Sequence, residues 1–165
     1  NIPLFTIQAD APIQDEQLTV WRLLRVNHLD FEGKTIIAVN VGGCVIPVGF
    51  SLYLLANTDI ALLHVLLGIG LVSMISFISS RPIQGLGIGI PIFIAPFAAA
   101  VAALMIDPAH SAPLAYVAGT MGVIVGADLL RLKDIRKMGT PIASIGGAGT
   151  FDGIFITGIV AVLLA

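Results

Sequence analysis

Three ionisable side chains, His64, Asp128 and Asp152, fall inside the long apolar stretches of this sequence, and Asn40 is the notable uncharged polar addition. A charge at the centre of a bilayer costs about 2.5–3.5 kcal/mol or more, so such groups ask for a function or a partner. Asp128 lies in Gly126-Ala127-Asp128-Leu129-Leu130-Arg131, and Asp152 in Gly146-Gly147-Ala148-Gly149-Thr150-Phe151-Asp152-Gly153. Two carboxylates at similar depth on consecutive helices suggest a pair. Like charges at close range cannot both ionise, so such a pair shares a proton and can act as base and acid on one water molecule. The same pair could instead hold a proton or cation in a transporter. Each residue also has a plainer use. Asp128 can serve as an interfacial partner of Arg131 or Lys133, Asp152 as a cap in the first turn of the last helix, and Asn40 as a hydrogen-bonding link between helices. His64 falls near the opposite face, at the interface.

The elements that would position these groups are apolar. Of the 165 residues, 57% are hydrophobic and 11% charged. A soluble domain usually carries about 25% charged residues. Mean hydropathy is +1.02. Five stretches, residues 35–56, 60–80, 84–106, 113–130 and 145–165, can be compared with the ~20 residues needed to cross a bilayer. The expected fold is an all-α polytopic transmembrane bundle of about five spans over 35–165, preceded by an interfacial segment at 1–34. Within that segment, residues 14–27 suit an amphipathic interfacial helix, with a short strand around Trp21 fitting nearly as well.

Charge then sets an orientation. The eight basic residues, Arg22, Arg25, Lys34, Arg81, Arg131, Lys133, Arg136 and Lys137, all fall in the first, third and fifth of the segments outside these spans. Cytoplasmic loops hold the excess of Lys and Arg. The N-terminal segment is therefore expected in the cytoplasm, the loop at Asp107 outside, and the C-terminus outside. Asn1 opens the chain without a signal-peptide pattern, and a further helix is expected ahead of it.

Glycine and proline mark where helices should be irregular. Gly122 and Gly126, and Gly149 and Gly153, have the spacing that lets helices approach closely in lipid. The Gly85-Leu86-Gly87-Ile88-Gly89 run has no βαβ context and is not a dinucleotide loop. With Pro91 and Pro96 behind it, it predicts an irregular third span, which in a membrane must be buried or line a wet cavity. Residues 146–149 are likewise expected not to be helical, with Asp152 in the first helical turn after them. One cysteine, Cys44, excludes an internal disulfide and a cysteine metal cluster. No basic run is dense enough to hold nucleic acid. No cofactor or metal is implied; the lipid bilayer is the expected partner, and a homo-oligomer is compatible with the sequence.

Residues 35–47 (TIIAVNVGGCVIP), Gly126-Ala127-Asp128-Leu129 and the glycine-rich run through Asp152 to Phe155 resemble a family of bacterial and archaeal membrane proteins that is a domain of unknown function. The resemblance covers nearly the whole chain from Asn1-Ile2-Pro3-Leu4 and implies a topology but no activity. A more distant similarity is to intramembrane aspartyl proteases of the presenilin, signal-peptide-peptidase and prepilin-peptidase type. Their second Asp follows Gly-x-Gly; here Gly149-Thr150-Phe151-Asp152 keeps a glycine-rich approach at another spacing, and Ala127 precedes Asp128 where their first Asp often follows Tyr. That similarity implies an Asp128–Asp152 dyad, a transmembrane peptide substrate, and Asn40, Gly149, Thr150, Pro91 and Pro96 as supporting residues. A proton- or cation-coupled transporter and a structural or assembly subunit are the alternatives.

Overall fold

β-branched residues, more than hydropathy, decide how the first apolar stretch begins. Lys34-Thr35-Ile36-Ile37-Ala38-Val39 crowds Cβ-branched side chains that favour extended backbone. In the computed structural model of the chain, which describes residues 1–8, 33–83, 87–137, 140–147 and 153–165, this segment is strand β2 (Lys34–Val39). It pairs antiparallel with β1 (Ile2–Gln8), from Ile2 opposite Val39 to Gln8 opposite Lys34. On its other side it pairs parallel with β5 (Ile142–Ile145), from Ile36 opposite Ile142 to Val39 opposite Ile145. The buried Thr35 hydroxyl donates to the Thr140 carbonyl at 2.7 Å and fixes the start of that parallel pair. A second sheet is a short hairpin of β3 (Arg81–Ile83) and β4 (Gly87–Gly89).

The helices are α1 (Ile46–Asn57), α2 (Leu62–Ser79), α3 (Ile94–Ile106), α4 (Ser111–Val123) and α5 (Gly153–Leu164). A π-helical turn, Val41–Val45, leads into α1, and a second, Ile124–Leu129, extends α4.

This overturns the expected all-α bundle of five spans. The first expected span is a strand followed by a helix, the third begins in the hairpin, and the fifth begins in β5. Among the described residues two helical stretches are long and apolar enough to cross a membrane, Leu62–Ser79 and Pro108–Leu129. The physical reason is that Lys34–Val39 and Ile142–Ile145 are apolar runs too short for hydropathy to tell strand from helix. Residues 14–27 lie outside the described residues.

α4 is the centre of the bundle, with Leu114 to Thr120 all buried among α1, α2, α3 and α5. Its core is built from small side chains: Val65, Val72, Ala99, Ala103, Ala115, Ala118 and Ala161 surround Leu114 and Val117. α2 and α4 touch closely enough that a Cβ on Gly126 would sit 2.2 Å from the Ser73 carbonyl oxygen, so only glycine fits there.

Polar contacts fasten the same two helices at each end. At one end Arg131 donates from Nη2 to the Phe77 and Ser80 carbonyls (2.8 and 2.9 Å), closing the C-terminus of α2. Its Nε donates to Ser80 Oγ at 3.2 Å and its Nη1 meets Asp134 at 3.1 Å, with the guanidinium 4.4 Å from the Phe77 ring centre. At the other end Asp107 lies 3.1 Å from His64 Nδ1 and 3.2 Å from His110 Nδ1. Ser111 Oγ donates there to the Ala165 carbonyl, bringing the end of α5 alongside.

The outward faces are apolar. Leu62, Leu63, Leu66, Met74 and Ile78 on α2, Phe97 and Met105 on α3, and Leu163 on α5 are each at least 58% exposed. Monomeric soluble proteins rarely leave so contiguous an apolar surface uncovered.

Candidate functional site

β2 and β5 end at the same level, and each is followed by a glycine pair, Gly42-Gly43 and Gly146-Gly147. The space beyond the carboxyl ends of parallel strands is where open α/β sheets bind ligands. Asn40 links the two strand ends. Its backbone N–H donates to the Ile145 carbonyl at 2.9 Å. Its side-chain Oδ1 accepts from Gly42 N and Gly43 N at 2.9 and 3.2 Å, capping the first turn after β2. Its Nδ2 donates across to the Gly147 carbonyl at 2.9 Å.

Gly146 and Gly147 take φ of +86° and +77°, a region side-chain-bearing residues avoid. A Cβ on Gly146 would also lie 2.7 Å from both Cys44 N and Gly43 C. The turn therefore needs glycine twice over, for its conformation and for its contact with the π-helical turn at Val41–Val45.

Asp128 enters from the third side. It sits in the π-helical turn Ile124–Leu129, and its Oδ2 accepts from Gly146 N at 2.7 Å, a charge-assisted length. Single π-helical turns are rare and often mark functional positions. The neighbouring Ala127 belongs to a buried cluster with Val123, Ile124, Ala95 and Ile154, against which Cys44, Val48 and Ile145 pack. The cluster thus gathers β5, both π-helical turns, and the starts of α3 and α5 beneath Asp128. The Cys44 thiol is within electrostatic reach of the Asp128 carboxylate.

Of the residues expected at a site, the structure brings Asn40 and Asp128 to one turn. Asp152, Gly149 and Thr150 lie outside the described residues. Pro96 is buried in the first turn of α3, beside the cluster member Ala95, where proline is tolerated because its missing N–H has no helical partner. Pro91 is exposed, and its carbonyl accepts from Ile94 N at 3.2 Å. The plainer expectation for Asp128 is a pairing with Arg131 or Lys133; the donors of Arg131 go to Asp134, Phe77 and Ser80. The non-helical backbone expected over 146–149 is seen at Gly146 and Gly147.

Three features escaped the sequence reading. The Gly146 N–H is a backbone donor and has no residue signature. The two π-helical turns likewise have none. The His64–Asp107–His110 group joins residues 43 apart and was legible only locally, as an Asp capping the turn that holds His110. Among the described residues, no group of three His, Cys, Asp or Glu side chains is placed to hold a metal ion.

Neither a curated protein nor a solved structure matches the chain. A family model does, over residues 1–164, and its description is "protein of unknown function (DUF1614)". The chain belongs to that family.

Proposed function

We propose that the protein is an integral membrane protein carrying a water-activating pair of carboxylates, Asp128 and Asp152, and that it hydrolyses a peptide bond of a membrane-embedded substrate. The observation that carries this is the bond from Gly146 N to Asp128 Oδ2 at 2.7 Å, which fastens one carboxylate to the glycine-rich segment leading to the other. The cluster beneath it supports the same pairing, since Ala127 is next to Asp128 in sequence and Ile154 is two residues from Asp152.

Exposed apolar faces on α2, α3 and α5 favour a bilayer as the solvent. In that setting the strand ends at Asn40 and Gly146 are non-helical backbone at the edge of the apolar region. Such backbone is tolerated only where it is buried in protein or lines a wet cavity, and hydrolysis requires water there. One carboxylate, ionised, takes a proton from water as its oxygen attacks the substrate carbonyl. The other, protonated, gives its proton to the carbonyl oxygen, leaving a gem-diol. As the C–N bond then breaks, the first carboxyl gives its proton to the leaving nitrogen and the second takes one back from a diol hydroxyl. Asn40 holds the turn that orients Asp128. The basic end of the molecule faces the cytoplasm, and the end carrying Asp107 faces out.

A proximity experiment tests the pairing. In a Cys44→Ser background, cysteines placed at 128 and 152 should be joined by a short bifunctional thiol reagent in membranes. A pair of cysteines at 128 and 163 should not be joined. Failure to link 128 to 152, with both thiols shown to react singly, would remove the dyad.

A further inference from the structure

The fold gathers basic side chains that are scattered in sequence. Arg131 reaches the Ser80 carbonyl, which places Arg81 beside the turn Asp134–Lys137. Ile135 of that turn is buried against Ile37 of β2, and Thr35 bonds to Thr140, so the strand that begins at Lys34 ends up at the same place. Lys34, Arg81, Lys133 and Arg136 are all exposed there. Among the described residues, the acidic groups at this end are engaged: Asp134 pairs with Arg131, and Asp128 accepts from Gly146 N. Just inside the rim lie exposed apolar side chains, Phe77, Ile78, Leu129 and Leu130. At the other end of the molecule the ionisable side chains among the described residues are Asp59, His64, Asp107 and His110.

An apolar band bordered on one side by exposed cations matches the boundary between acyl chains and negatively charged headgroups. We infer that this rim binds the headgroups of anionic phospholipids, with Arg81, Lys133 and Arg136 as the principal contacts and Arg131 as the fixed post that holds them together. The inference rests on the membrane reading above. Each cation near an anionic membrane surface contributes about 1 kcal/mol, or about fivefold in affinity.

The test uses the full chain in detergent, titrated with phosphatidylglycerol, phosphatidylcholine or inorganic phosphate while thermal unfolding is followed. Phosphatidylglycerol should stabilise at concentrations at least about tenfold below those at which phosphatidylcholine does, and added salt should weaken it. Arg81→Gln, Lys133→Gln and Arg136→Gln should each weaken it about fivefold, and the triple variant should lose the preference. Equal effects of the two lipids, an equal effect of inorganic phosphate, or a triple variant that keeps its preference would overturn the inference. Carbonate-resistant insertion into neutral vesicles tests the membrane reading separately: failure to insert sinks that reading, whereas insertion without lipid preference sinks only the rim.

Discussion

The Asp128 carboxylate accepts a hydrogen bond from the Gly146 backbone N–H at 2.7 Å, across eighteen positions of sequence. That bond joins the last turn of the central helical stretch to the end of a parallel strand. The Asn40 carboxamide holds the same turn from the other side, through the Gly147 carbonyl.

Gly146→Ala should therefore do two kinds of damage. Its φ of +86° costs a side-chain-bearing residue about 1–2 kcal/mol, and its Cβ would press on Cys44 N and Gly43 C at 2.7 Å. Overpacking of backbone adds about 1–3 kcal/mol. Thermal unfolding in detergent should fall markedly, with cysteine alkylation at Cys44 accelerating as the two turns separate.

Asn40→Asp separates the two roles of that side chain. The carboxylate can still accept from Gly42 N and Gly43 N, but it presents an oxygen to the Gly147 carbonyl in place of a donor. A loss of about 1–3 kcal/mol is expected from the unmade bond. Asn40→Ser should keep part of the cap and lose only the reach to Gly147. Equilibrium unfolding of the two variants should rank Asp below Ser.

Helix contact in the bundle gives a paired prediction. Gly126→Ala forces a Cβ to within 2.2 Å of the Ser73 carbonyl, so α2 and α4 must part, at about 1–3 kcal/mol. Gly70→Ala on α2 meets nothing within 4 Å. It should be neutral or stabilising by up to about 1 kcal/mol, since alanine is the better helix former. Melting temperatures of the two variants should move in opposite directions.

Acid should loosen the end of the bundle that holds Asp107. The hydrogen bond with His64 is the main cause that holds this carboxyl below its usual range, and contacts with His110 add to it, against a smaller opposing effect of burial. A carboxyl whose folded-state pKa is depressed adds stability above its unfolded value, near 3.9, and that stability is lost as pH falls toward the lower folded value. Wild type should thus lose stability below about pH 4, and Asp107→Asn should be less stable at neutral pH and flatter across that window. Thermal unfolding between pH 3 and 7 measures both.

Hydropathy located two of the elements well, because α2 and the stretch through α4 are long, apolar and bounded by breakers. The expected 60–80 and 113–130 meet Leu62–Ser79 and Pro108–Leu129. It missed the strands because Thr35-Ile36-Ile37 and Ile142 to Ile145 are apolar runs short enough to be either structure. At the site, Asn40 and Asp128 stood out in the sequence as polar groups in apolar surroundings. Their reach across the fold did not, because beyond the local cap at Gly42 and Gly43 they bond to backbone groups of glycines more than a hundred, or eighteen, residues away. The role of Arg131 was hidden for a related reason: two of its acceptors are the Phe77 and Ser80 carbonyls at the end of α2, which have no sequence signature.

The dyad itself is tested most directly by cleavage of model transmembrane peptides in liposomes, comparing wild type with Asp128→Asn and Asp152→Asn. Each substitution removes the charge and the acid–base function while nearly preserving volume. Wild type should cleave, and each variant should insert and fold yet show no turnover above the no-protein control. Undiminished cleavage by either variant, or no cleavage of any transmembrane peptide by folded wild type alongside proton or cation flux that depends on both carboxylates, would contradict it.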